Sequence, residues 1–277
     1  MKTILIPTDF SANAMHAACY AASLAKVLDA KIVFLNSYSL PMMFEYDVAA
    51  NMNTSFADMQ KITELNLEDF TKEFIRKTNF SPDRISEVAD YGIVTDSIIE
   101  KSKGQSIDLV VMATKGAHNF LDRWLGTNAE KVAKLAGCPV WIIPEEAKLE
   151  YPAKILYAAD FKENEGKAAK KLLDIASPLG ATCKFVHVHE YYEPKIGTEM
   201  EDTLSDLEAY FKNENISFKE INRPDVVKGL EKYIKGYKPD VVAFAIHEKS
   251  FLEKLFSSSV SSHFLVTANL PILTFHN

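Results

Sequence analysis

Two glycines and a hydroxyl are the residues of this chain best placed to handle an anion. Gly116 is followed, after nine intervening residues, by Gly126-Thr127-Asn128, and both lie between two short apolar runs, Asp108 to Met112 and Val140 to Ile143. The second group directly precedes the amphipathic run Ala129 to Leu135. A helix start there combines free backbone N–H groups, a hydroxyl and the positive end of the helix dipole. That is the chemistry a phosphate group needs. The strand before it spills into Ala113-Thr114-Lys115-Gly116, a small-residue turn that lets a ligand approach the backbone. Singly such glycines are turns and caps; their spacing between two strands is what informs.

A second group follows the first apolar run, Lys2 to Pro7. Thr8 and Asp9 come next, with Ser11 as a good helix N-cap. An ionised Asp9 accepts hydrogen bonds only, so it suits a ribose hydroxyl or a phosphate-bound Mg²⁺, or else it caps the helix beside Ser11. Groups for catalysis are few. Lys115 and Arg123 could meet phosphates or be solvated surface charges, and His118 has no acidic or nucleophilic partner in sequence. There is no G-x-x-x-x-G-K-[S/T] loop, G-x-S-x-G elbow or H-E-x-x-H pair. No catalytic residue is assigned. Cys183, His187 and His189 alternate along a strand and would share one face. With His247 or His263 they could take zinc, or they are half-buried residues at a strand end; no metal site is assigned.

These groups need strands and helices to position them. Helical spacing of apolar residues runs from Ser11 through Leu28, and Lys31 to Asn36 reads as the next strand. Ser37 to Asn53 is irregular, with Pro41, Met42, Met43, Phe44 and Tyr46; it is a packed loop, or a flap over a pocket or partner surface. A helix from about Thr54 to Thr78, a strand Arg84 to Ala89, a helix Ile93 to Lys103 and the Asp108 strand follow. Gly137 reads as a helix stop. This alternation predicts an α/β fold, a doubly wound parallel five-stranded sheet in the order 3-2-1-4-5 with helices on both faces. Its ligand crevice falls at the carboxyl ends of strands 1 and 4, where Pro7, Thr8 and Asp9 meet Met112, Ala113 and Gly116, and Gly126-Thr127 arrives from the last helix.

The chain then repeats itself. Ile4-Leu5 through Asp9-Phe10 recurs as Ile155-Leu156 through Asp160-Phe161, and Phe34-Leu35-Asn36 recurs as Phe185-Val186-His187. Asp108-Leu-Val-Val recurs as Asp240-Val-Val-Ala, and Pro139-Val140 as Pro271-Ile272. Two tandem domains are expected, 1–146 and 152–277. They differ chemically. Gly116 corresponds to His247 and Gly126-Thr127 to Ser257-Ser258, so side chains should crowd the second phosphate site, though Ser257-Ser258-Ser259 can still cap a helix. The last strands of the repeats should lie at sheet edges, and apolar edges are a liability. They are expected to shield each other as an intramolecular pseudo-dimer or to pair with another chain as a homodimer.

Composition narrows the function. Net charge is −7 over 277 residues, with no basic half, which argues against a nucleic-acid surface. Hydrophobic content of 47% is enough for two cores. No apolar run approaches the roughly 18 residues of a membrane span, and the start reads directly into a strand rather than a signal peptide. The three cysteines, Cys19, Cys138 and Cys183, lack metal-knuckle or redox spacing and suit a reducing compartment. A cytoplasmic protein is expected.

The pattern G-x-x-G, nine residues, G-[S/T], a helix and a C-P-V strand resembles the nucleotide-binding signature of the universal stress proteins. Gly116, Gly126 and Thr127 occupy three of its four positions. Ala113 stands where the first glycine would be, placing a methyl group close to where phosphates would lie. The resemblance implies that Pro7, Thr8 and Asp9 line an adenine nucleotide and that Ser37 contacts adenine through its backbone. Met112, Ala113, Gly116, Gly126, Thr127 and Asn128 would complete the site. It implies a stress-response protein holding ATP, with or without Mg²⁺, and turning over little or none. The alternatives are a nucleotide-free signalling scaffold acting through its pseudo-dimer and a slow ATP hydrolase.

Overall fold

A computed structural model describes residues 2–39, 56–104, 106–114, 126–159, 165–189, 216–223, 225–246 and 270–276. The first repeat runs β1 (Thr3–Pro7), α1 (Ala12–Val27), β2 (Lys31–Tyr38), α2 (Phe56–Thr78), β3 (Ile85–Tyr91), α3 (Val94–Lys103), β4 (Leu109–Ala113), α4 (Thr127–Leu135) and β5 (Val140–Ile143). The second runs β6 (Lys154–Ala159), α5 (Glu165–Ala176), β7 (Thr182–His189), β8 (Ile216–Asn222), α6 (Val226–Tyr237), β9 (Val241–Ile246) and β10 (Ile272–His276). All the strands join one sheet, ordered β3-β2-β1-β4-β5-β10-β9-β6-β7-β8. Each half is the expected 3-2-1-4-5 order, parallel throughout.

The halves meet at an antiparallel seam. β5 pairs with β10 through Ile142–Ile272, Trp141–Leu273 and Val140–Thr274. The two apolar strands that would otherwise be open edges therefore satisfy each other's backbone, which is the physical reason for the pairing. Trp141 and Leu273 are fully buried there, and Tyr20 of α1 packs on Trp141 with ring centroids 5.9 Å apart.

Central strands such as Leu109–Ala113 and Val140–Ile143 are apolar on both faces because helices cover both. α1, α2 and α5 pack on one side, and α3, α4 and α6 on the other. α1 begins where Ser11 Oγ accepts from Ala14 N at 3.1 Å. Its alanines at 14, 17, 18, 21, 22 and 25 are buried, letting the helix axis lie close to the sheet.

Some boundaries differ from the sequence reading. β2 continues two residues past Asn36, since Ser37 and Tyr38 still pair with Asp90 and Tyr91 of β3. Arg84 belongs to a short 3-10 turn rather than to β3. Its guanidinium donates to Ala30 O at 2.6 Å and Ala25 O at 3.2 Å, tying the α1–β2 turn instead of extending a strand. Gly137 follows the C-cap Ala136 and acts through packing: a Cβ there would lie 2.7 Å from Lys103 Cα, and its N–H donates to Ser102 Oγ at 3.0 Å. The flap candidate at residues 40–53 lies outside the described residues.

Candidate functional site

At the carboxyl end of β1, Pro7 and Thr8 are buried and Asp9 is exposed. Thr8 is locked from both sides. Its N–H donates to Leu35 O at 2.9 Å, and its carbonyl accepts from Asn36 Nδ2 at 2.7 Å. Its hydroxyl accepts from Phe10 N at 2.9 Å, while Asp9 Oδ1 accepts from Ser11 N at 3.1 Å. These short bonds hold Phe10 at φ 64°, a left-handed conformation that costs a bulky residue roughly 1–2 kcal/mol. Phe10 is also pinned on Phe70, centroids 6.0 Å apart. Asp9 thus does serve as a turn cap beside Ser11, and it stands at the crevice rim.

Ser37 lies at the far end of β2. The β1–β2 register ends at Pro7–Leu35, with the Thr8 N–H on the Leu35 carbonyl as its last bond. Backbone direction alternates along a strand, so the Ser37 N–H and C=O point the same way as those of Leu35, beyond the end of that ladder. Ser37 Oγ is also buried without a hydrogen-bond partner.

On the other side of β1, β4 ends at Met112, which is buried, and Ala113, which is half-buried. Thr114 continues the edge, donating to Ile143 O at 3.1 Å and accepting from Gly126 N at 2.7 Å. That last bond brings the start of α4 against the end of β4. Gly126 is the N-cap of α4, buried and without a side-chain cap, and Thr127 and Asn128 in the first turn are exposed. The first-turn N–H groups of α4 therefore open at the same sheet edge as Pro7, Thr8, Asp9, Ser37, Met112 and Ala113. Lys131 fixes the orientation of α4 by donating to Asp96 Oδ1 at 2.8 Å and Thr95 Oγ1 at 3.0 Å on α3. Hydrogen bonding from Lys131 holds the Asp96 carboxyl below its usual range.

Gly116 lies outside the described residues, as do Lys115, His118, Arg123, Asp160, His247, Ser257, Ser258, Ser259 and His263. The locking role of Asn36 is not encoded in spacing along its own strand, but the second repeat carries it too. Its counterpart in the repeat is His187, whose Nδ1 is 2.8 Å from Ala159 O, the same bond at the same place. A carbonyl only accepts, so Nδ1 carries the proton. Cys183 and His187 are both buried, and among the described residues no cluster of three His, Cys, Asp or Glu side chains could hold a metal.

A doubly wound sheet with a helix N-terminus at its switch point defines the class, an α/β protein with a crevice at the carboxyl ends of β1 and β4. The chain belongs to the universal stress protein family, whose model matches it twice, over residues 1–144 and 153–276. It is 27% identical over 151 residues to universal stress protein MJ0531 of Methanocaldococcus jannaschii, covering 53% of this chain and 84% of that protein. It is 23% identical over 156 residues to universal stress protein MJ0577 of the same organism, covering 51% and 94%. The crystal structure of a universal stress protein from Archaeoglobus fulgidus aligns over 99% of this chain and 96% of that one, with a TM-score of 0.71 at 15% identity, a likeness of fold. Among the described residues no helix is long and apolar enough to cross a membrane.

Proposed function

We propose that the first repeat holds an adenine nucleotide, ATP with or without Mg²⁺, in the crevice between β1 and β4, with little or no turnover. The observation that carries this reading is the start of α4. Gly126 brings no side chain to cap its own helix, and its N–H is tied to the Thr114 carbonyl at the end of β4. Thr127 and Asn128 then present N–H groups without a partner among the described residues, and the positive dipole end, to the switch point. Pro7, Thr8 and Asp9 line the facing wall, with Asp9 toward the ribose or a phosphate-bound Mg²⁺. Met112 and Ala113 form the floor, Gly116, outside the described residues, is assigned to the same site by the family signature alone, and the outward backbone of Ser37 meets the base. The described crevice residues grip, but none is arranged as a general base with a nucleophile, so we assign no reaction.

Calorimetric titration with ATP and Mg²⁺, beside a Gly126→Val variant, tests this. One site per chain, lost in the variant, supports the reading; no binding to the native chain overturns it. The second reading is a nucleotide-free scaffold acting through the paired repeats. It is favoured by Ala113 in the place of a signature glycine and by the β5–β10 seam that makes the repeats one sheet.

A further inference from the structure

A groove away from the crevice carries a separate inference. It has a volume of about 880 Å³ and runs between α1, α2 and the connector that follows β5. One whole face of α1 lines it, from Ser11 to Val27, through Met15, Cys19, Ala22 and Ser23. At 1.5 Å per helical residue that face is about 24 Å long. An open groove of that length takes an extended alkyl chain laid along α1.

The groove is also graded. Phe10 and Phe70 stand together at one end, and the connector contributes Leu149 and Tyr151, each about half exposed. At the other end, Lys26 and Lys77 line the groove from the last turns of α1 and α2, with the Glu73 carboxylate on the α2 wall beside them. Lys77 pairs with Glu73 at 3.4 Å. Lys26 donates to the neutral Thr78 carbonyl at 2.7 Å and has no ion pair among the described residues. Thr78 ends α2, so the ammonium meets only the partial negative charge of that helix terminus. His16 lines the same wall with Nε2 buried and unpartnered, a nitrogen that a hydrogen-bonding occupant would satisfy. Volumes of this size, mostly apolar with a few convergent polar groups, are typical of small-molecule sites.

We propose that this groove binds a free alkyl carboxylate, its chain along α1 and its carboxylate at Lys26 and Lys77. The site is independent of the nucleotide reading. Monomeric laurate titrated into the full chain by calorimetry should bind saturably at one site, with dodecanol at least about tenfold weaker. Lys26→Glu should weaken laurate at least about tenfold, and Ser23→Trp, which fills the groove one turn before Lys26, should abolish binding. The melting temperature of each variant shows whether it is folded, and the dodecanol comparison needs no variant. Absence of saturable laurate binding overturns the proposal. So does undiminished binding in folded Ser23→Trp, and equal affinity for dodecanol removes the role of the lysines.

Discussion

Replacing Asn128 with aspartate separates the two things a helix N-terminus can do. Asn128 is exposed in the first turn of α4, behind an N-cap with no side chain. A carboxylate there meets the dipole and the open N–H groups, which should stabilise the fold by about 0.3–1 kcal/mol. The same carboxylate occupies the end of the helix that a phosphate would use. Two unit charges 6 Å apart at an effective dielectric near 20 repel by about 3 kcal/mol. Solvent and salt screening at an exposed position lowers this to about 1–3 kcal/mol, or roughly 5- to 150-fold in affinity for ATP. Asn128→Asp should therefore be more stable in urea denaturation and weaker in ATP calorimetry, and the affinity loss should shrink as salt rises. A protein that gains stability while ATP affinity stays unchanged would refute the placement of phosphates at α4. A loss of stability would refute the open N-terminus itself.

Other perturbations test the packing. Gly137→Ala puts a Cβ against the Lys103 Cα and the Ser102 carbonyl and should destabilise by about 1–3 kcal/mol in urea titrations. Gly236→Ala in α6 meets nothing within 4 Å and should stabilise by about 0.5–1 kcal/mol in the same assay. Tyr20→Phe removes a buried hydroxyl that has no partner and should leave stability equal or raise it by about 1 kcal/mol; a large loss would mean that an ordered water serves it. Burial, with the charge of Asp108 adding to it, pushes the Cys138 thiol up to about 12, and Cys183 is almost fully buried. A higher pKa leaves less thiolate at pH 8. A disulfide reagent should therefore reach half-buried Cys19 first, slowly because burial raises its pKa too, and the other two only on unfolding.

Much of the architecture was legible because it rests on local pattern. Period and apolar content named the strands, and the repeated Ile4–Phe10 run implied the second copy of the same strand order. The end of β1 was legible as a place, but not in its mechanics. That Asn36 clamps the Thr8 carbonyl depends on two strands lying side by side, which spacing along one strand does not encode. Gly137 illustrates the opposite error. A glycine after a helix reads as a cap, whereas its reason here is Lys103, 34 residues away in sequence and in contact only after α3 and α4 pack. Cys183 and His187 also share a strand face as periodicity requires. The strand geometry cannot say that the imidazole is already committed to the Ala159 carbonyl, which is a tertiary fact.

The direction of the seam has a consequence for how the two repeats divide their work. Because β5 and β10 run antiparallel, the carboxyl ends of β1 and β4 and those of β6 and β9 open on opposite edges of one sheet. Each crevice is built at its own switch point, two strands away from the seam on either side. The crevice wall at β1 and α4 is set by Thr8, Asn36, Thr114 and Gly126, all within the first repeat. The seam is set by Trp141, Leu273 and their backbone partners. Side chains at the mouth of one crevice can therefore change without disturbing the other crevice or the seam. The seam in turn asks only that β10 remain a buried apolar strand. Carrying both copies on one chain makes their pairing intramolecular, so it does not depend on protein concentration as a dimer would.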